Sequence, residues 1–342
     1  MPGISRRALA LTVGSVLLLG SAATISQAQD TRSYILTTAT TGGTYYPVGV
    51  ALATLVKVKL EPTESISMSA ISSAGSGENV KLMREDQAQF GILQALFGAW
   101  AAEGTGMLEA EGPQPHLRSI SMLWVNVEHF VVSNDMAKTG TIDDLAEFGG
   151  QPFSIGARNS GTEGSGRTIL EGLGIDPDEA FEVVYMGYTP TAEALQNGTV
   201  KGANIPGGVP VSAVSQAFAS TGGNLTILGF TDEQIARANS QFELWPAYEI
   251  PADTYPGQSE AVTTIAQPNF LAVRDDVSEE DVYLITKTMY ENLPFLQNIH
   301  AATKDMALEK ALAGLPIPLH PGALRFYEEQ GLEVPDRLKP PA

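Results

Sequence analysis

Short β-rich runs alternate along the chain with loops of glycine, serine and threonine, and each loop leads into a helix-like segment. The run Tyr34–Ala39 (YILTTA) passes through TTGGTYY into PVGVALATLVKVKL. In that last segment Val48, Leu52, Leu55 and Val56 recur at helical spacing and share one face. ISMSAI places Ile66, Met68 and Ala70 at the two-residue period of a strand, then passes through SSAGSG into ENVKLMRED. PFSIGA leads through RNSGT into EGSGRTILEGLG, where Gly174 is placed to cap the helix. VKGANI leads through PGGVP into VSAVSQAFA, and FGILQ (Phe90–Gln94) is a further strand. Ser278, followed by Glu279, Glu280 and Asp281, starts a helix expected over Val282–Leu296, with its acids placed well against the helix dipole.

Strands alternating with helices predict α/β layers. In such sheets ligands bind beyond the carboxyl ends of the strands. The glycine and hydroxyl loops lie at helix N-termini, where free N–H groups and the helix dipole favour an anion. Two longer β-rich runs, Met122–Asp135 and Val262–Asp276, suit passages between domains. They place hinges near 125–132 and 262–272. Lobe 1 is then 29–128 plus 267–342, and lobe 2 is 129–266.

The N-terminus changes the picture of where the protein works. Arg6 and Arg7 precede ALALTVGSVLLLG, and SQA ends at Ala28, which is the basic, apolar, small-residue order of a secretory signal peptide. The apolar stretch is short for a membrane anchor, and no stop-transfer charges follow it. Export to the periplasm is expected, with cleavage near Ala28 and no membrane insertion afterwards. Loss of residues 1–28 removes two arginines and no acids, so the formal charge of -19 becomes -21. So acidic a chain argues against nucleic acid, whose phosphates need Lys and Arg patches. The chain has no cysteine, which excludes a disulfide framework, a thiol nucleophile and a thiolate metal site.

Motifs for catalysis or cofactors are missing. His116, His129, His300 and His320 have no metal-ligand spacing, and neither a phosphate-binding P-loop nor a G-x-S-x-G elbow occurs. A triad gathered from distant residues is not excluded by sequence. The expectation is therefore a binding protein, not an enzyme, with no cofactor and no metal. Thr44, Tyr45 and Tyr46 present hydroxyls and rings at a helix start. Ser73, Glu78 and Asn79 flank the second loop, and Gln94 ends a strand. Arg158, Ser160, Gly161 and Thr162 open a helix in the middle of the chain, and Asn204, Pro206 and Gly207 end another strand there. Each has a structural alternative: packing for one tyrosine, capping for Glu78 with Asn79 and for Ser160 with Thr162, and solvation for Arg158. Of the two tyrosines, Tyr46 is expected at the ligand.

These same segments resemble a known family. ATTGGTYYPVGVALA resembles the N-terminal signature of the TAXI family, the solute receptors of TRAP transporters. SSAGSGENVKLM is similar to that family's Ser/Thr-Gly-Gly-Ser-x-Glu-Asn-Leu stretch, and IGARNSGTE to its Gly-x-x-x-Ser-Gly-Thr-Glu loop. YPGQSEAVTTIAQPNFLAV and HPGALRFYEEQG resemble its C-terminal segments, so the resemblance runs from about 33 to about 333. It implies a type II periplasmic-binding-protein fold, two α/β lobes joined by a hinge with the ligand cleft between them. It also implies a receptor that hands a small organic anion, a glutamate-like amino acid or a 2-oxoglutarate-like dicarboxylate, to membrane permease subunits. The positions carried over are Thr44, Tyr45, Tyr46, Ser73, Glu78, Asn79, Ser160, Gly161 and Thr162. Ala74 and Gly77 depart from the pattern, and Arg158-Asn159 stands where Pro-Gly is commoner, which adds a guanidinium near the ligand loop. The alternatives are a receptor for an uncharged heterocycle such as a pyrimidine precursor, and an exported hydrolase.

Overall fold

The computed structural model describes residues 31–340, and the expected signal peptide lies outside them. The strands are β1 (Arg32–Thr37), β2 (Ile66–Ile71), β3 (Phe90–Gln94), β4 (Leu117–Val127), β5 (Phe130–Ser133), β6 (Pro152–Ser154), β7 (Glu182–Val184), β8 (Gly202–Asn204), β9 (Leu225–Ile227), β10 (Ala247–Ile250) and β11 (Val262–Arg274). They form two sheets. The first runs β2-β1-β3-β11-β4, with β10 paired to the early part of β11, and the second runs β7-β6-β8-β5-β9.

The two orders share one plan. In the first sheet β2, β1 and β3 are parallel, and β11 lies antiparallel between β3 and β4. In the second β7, β6 and β8 are parallel, and β5 lies antiparallel between β8 and β9. β11 reaches the first sheet from beyond the second, whereas β5 to β9 of the second sheet follow one another along the chain. This is the type II periplasmic-binding fold that the family resemblance implies. The chain passes from β4 to β5 through Glu128 and His129, both fully buried. The Glu128 N–H donates to Ile265 O (2.9 Å) and the Thr264 hydroxyl donates to Glu128 O (2.9 Å), so the two crossing segments are tied to each other.

Five helices position the site: α1 (Tyr45–Glu64), α2 (Ser76–Arg84), α3 (Ala95–Glu103), α4 (Gly161–Gly172) and the helix Tyr188–Asn197. Helix α1 buries Val48, Leu52, Leu55 and Val56, the face that the 3.6-residue spacing predicts. Past the end of α4, Gly174 adopts φ +79 and its N–H donates to Glu171 O, while the Ile175 N–H donates to Leu170 O. A left-handed glycine is the usual stop there, because a Cβ would clash. Ser278 caps its helix as expected, its hydroxyl accepting from the Asp281 N–H at 3.1 Å. That helix is shorter than the sequence suggests. It ends at Glu291, and a separate turn covers Leu293–Gln297. Pro294 explains the break: it has no N–H to give, and its ring would strike the carbonyl one turn earlier.

Candidate functional site

Loops at the carboxyl ends of both sheets enclose a cavity with about 440 Å³ of empty space, its mouth included. Five helix starts reach it. Thr44 and Tyr45 come from α1, Gly75 and Ser76 from α2, Gln94 from α3, Ser160, Gly161 and Thr162 from α4, and Tyr188 from the helix Tyr188–Asn197. Ala39, Thr40, Gly43, Ala74, Asn126, Ala157, Pro206 and Gly207 complete the lining. Among these described residues there is no Asp, Glu, His, Lys or Arg.

The first turn of a helix leaves N–H groups without an intrahelical acceptor. The N–H groups of Tyr45, Ser76, Gly161 and Thr162 find no other acceptor among the described residues. Glycine lets these helix starts meet. A Cβ on Gly75 would lie 3.4 Å from Gly161 N, and one on Gly161 would lie 2.8 Å from Gln94 Oε1 and 2.9 Å from Ser76 Oγ. The cavity is thus a neutral container lined with aligned N–H dipoles, which suits an anion.

Bonds between the halves hold the loops in place. The Gly208 N–H donates to Thr44 Oγ1 (3.0 Å), the Glu78 N–H to Asn159 O (2.9 Å) and the Ala213 N–H to Gly42 O (3.0 Å). The Tyr188 hydroxyl donates to Pro206 O (2.6 Å) and accepts from the Thr162 hydroxyl (2.7 Å). The Tyr45 hydroxyl donates to Asn269 Oδ1 (2.5 Å), and Asn269 Nδ2 donates to Asn126 Oδ1 (3.4 Å). Asn126 Nδ2 then has no partner, and neither has Gln94 Oε1. These two side chains are 2% and 3% exposed, so each leaves a buried polar atom unpaired in the lining.

The candidates from sequence divide into two groups. Thr44, Tyr45, Gln94, Ser160, Gly161, Thr162, Pro206 and Gly207 meet at the cavity. Tyr46 does not. It follows Tyr45 by one helical step of about 100°, and the structure gives the cavity to Tyr45, which also packs edge-on against Trp124. Ser73, Glu78 and Asn79 also lie outside the lining and build the loop instead. Ser73 Oγ accepts from the Gly75 N–H (3.1 Å), Glu78 accepts from the Ala74 N–H (2.5 Å), and Asn79 Nδ2 donates to Thr38 O and Ile92 O. Arg158 is exposed and lies over the Tyr185 ring, 3.7 Å from its centroid, so its guanidinium is not in the cavity. Asn159 holds φ +60, which explains why glycine suits that position. Asn204 donates to Glu128 Oε2 (2.8 Å) behind the wall. Ser160 both caps α4, accepting from the Glu163 N–H at 3.0 Å, and lines the cavity.

Sequence reasoning missed Ser76, Asn126 and Tyr188. The signal for Tyr188 was present: GYTP at 187–190 repeats the glycine, aromatic, proline order of GGTYYP at 42–47.

Behind the cavity lies a buried polar layer at the chain crossing. Burial pushes the Glu128 carboxyl up to about 7, against the opposing effect of Asn204, Ser165 and Gln267. Burial pushes His129 down to about 4, against the pull of Val127 O. His129 Nδ1 lies 2.9 Å from that carbonyl and donates to it, so Nε2 accepts from the Tyr255 hydroxyl at 2.8 Å. His129 is therefore buried uncharged near neutral pH, whereas Glu128 stands at its midpoint there and is fully neutral only at lower pH.

A model of the NMT1-like family matches residues 36–331. The chain belongs to the NMT1-like family. Solved structures similar to this NMT1-like chain include an alkanesulfonate-binding protein from Xanthomonas axonopodis pv. citri, bound to MOPS. It is 11% identical, over 89% of this chain and 92% of that one, with a TM-score of 0.45. A binding protein component of an ABC phosphonate transporter from Pseudomonas aeruginosa is 12% identical over 80% and 79%, with a TM-score of 0.48. The GluR0 ligand-binding core from Nostoc punctiforme, in complex with L-glutamate, is 13% identical over 78% and 96%, with a TM-score of 0.44.

Proposed function

We propose that the protein is an extracytoplasmic solute-binding receptor of a TRAP-type transporter. It captures a small organic anion between its two halves and delivers it to membrane permease subunits. The observation that carries this is the convergence of five helix starts on one neutral cavity. Aligned N–H groups stabilise an anion without a counter-charge that would have to be desolvated. The signal peptide expected at residues 1–28 and the TAXI resemblance support export and the transporter class. The segments 125–132 and 262–272 serve as the hinge, with lobe 1 and lobe 2 divided as the sequence suggests. No catalytic step is assigned.

Isothermal titration tests this on protein unfolded and refolded to remove carried-over ligand. Carboxylates, alkanesulfonates, phosphonates and amino acids form the panel. Saturable binding of at least one small anion is expected, and failure of every anion would overturn the proposal. A second reading, an uncharged heterocycle, draws on the neutral lining and the rings of Tyr45 and Tyr188. Mass spectrometry of ligand released from denatured protein separates the two.

A further inference from the structure

The cavity's neutral lining says more about the ligand than its sign. We infer that the ligand is a small acid with one anionic group and a neutral hydroxyl beside it, a hydroxy carboxylate, rather than an amino acid or a dicarboxylate. This rests on the receptor function proposed above and narrows the substrate class of the same site.

Three observations carry it. First, an α-amino acid brings an ammonium into the cavity, and no carboxylate lines it to receive that charge. Glu128, the buried acid behind the wall, is held by Asn204 and is not part of the lining. An ammonium without a partner in a closed cavity carries a large desolvation penalty. Second, no Lys, Arg or His lines the cavity to offset a second carboxylate. Two carboxylates enclosed together without a cation repel, and one of them is driven to take up a proton. Third, the amides left unpaired are complementary to a neutral polar group. Gln94 Oε1 is an acceptor without a donor, and Asn126 Nδ2 is a donor without an acceptor. In this arrangement Asn269 Nδ2 occupies the Asn126 oxygen while Asn269 Oδ1 receives the Tyr45 hydroxyl, which leaves Asn126 Nδ2 as the free atom. A hydroxyl is both donor and acceptor, so its chemistry matches both unpaired atoms in the lining. A keto oxygen can only accept, so it leaves the Gln94 oxygen unpaired.

The test compares matched acids that differ at one substituent: lactate, pyruvate and alanine, then 2-hydroxyglutarate, 2-oxoglutarate and glutamate. Each is titrated calorimetrically into ligand-free protein at constant ionic strength. Lactate should exceed pyruvate by about tenfold, the worth of one hydrogen bond to an otherwise unpaired buried group, and the dicarboxylate series should bind more weakly than the monocarboxylate one. Lactate should exceed alanine by on the order of a hundredfold. Gln94→Met should bring hydroxy and keto acids together while leaving the rejection of the amino acid. Thermal melting of ligand-free Gln94→Met confirms that it folds; should it not fold, the wild-type series still decides. Amino acids binding as tightly as hydroxy acids, keto acids binding more tightly than hydroxy acids, or dicarboxylates binding best would each overturn the inference. Any of those results leaves the anion receptor intact, whereas no binding by any acid overturns the receptor itself.

Discussion

Glu128 and His129 stand side by side at the chain crossing and push stability in opposite directions with pH. Glu128 is raised from an ordinary 4.5 to about 7, mainly by burial. Between those values the unfolded chain has lost the proton and the folded chain keeps it, so stability falls as pH rises through the window. The interval is worth about 3 kcal/mol at about 1.4 kcal/mol per pH unit. His129 is lowered from an ordinary 6.5 to about 4, again mainly by burial. There the unfolded chain binds the proton first, so stability falls as pH drops through the window, also by about 3 kcal/mol. Over the shared range the two slopes nearly cancel. Glu128→Gln keeps an oxygen for Asn204 Nδ2 and removes the titration. Urea unfolding of wild type and variant, from about pH 4.5 to about pH 7.5, isolates the Glu128 contribution in the difference between the two curves. The variant should gain relative to wild type by about 3 kcal/mol across that range, and its own stability should climb with pH as the His129 slope is exposed. A difference curve flat to within about 1 kcal/mol would refute the claim that Glu128 is held neutral by burial.

Three further outcomes follow from the site. Tyr45→Phe removes the hydroxyl that holds Asn269 and should weaken anion binding several-fold and stability by about 1 kcal/mol, whereas Tyr46→Ala should leave affinity unchanged; calorimetry and thermal melting of both variants check this. Arg158→Ala should leave affinity and its salt dependence at wild-type values, since the guanidinium sits on Tyr185, and a marked loss of affinity would bring Arg158 back to the ligand. Gly164→Ala would place a Cβ 2.7 Å from the Phe97 ring, at the packing of α4 against α3. Overpacking of about 1–3 kcal/mol at that contact should lower ligand affinity if the halves separate when empty, and titration beside ligand-free melting shows whether the cost falls on binding or on the fold.

The layering was legible because periodicity reports burial directly: Val48, Leu52, Leu55 and Val56 face the core where their spacing says. The helix starts were legible because glycine and hydroxyl residues cluster where N–H groups need space or partners. The direction of individual side chains was not. Tyr45 and Tyr46 are equally plausible in sequence, and only the packing of α1 against Trp124 and the Asn269 bond settles which one turns inward. Ser73, Glu78 and Asn79 have the right chemistry for a ligand, yet their polar atoms are taken up by backbone, that of their own loop for Ser73 and Glu78 and that of Thr38 and Ile92 for Asn79. Asn126 was hidden inside an apolar strand, where its role depends on Asn269, more than a hundred residues away. β7 and β9, three residues each, lack the glycine-rich loop that made the equally short β6 and β8 legible.

A grip made of peptide N–H groups is hard to erase by changing side chains. Alanine at Ser76 or Thr162 leaves the backbone donor where it was, and only proline removes it. In the anion receptor proposed above, random mutation would readily alter which molecule fits, through Gln94 and Asn126, while rarely abolishing the preference for negative charge. Selectivity and charge preference are therefore separately evolvable in this cavity, one written in side chains and the other in the main chain.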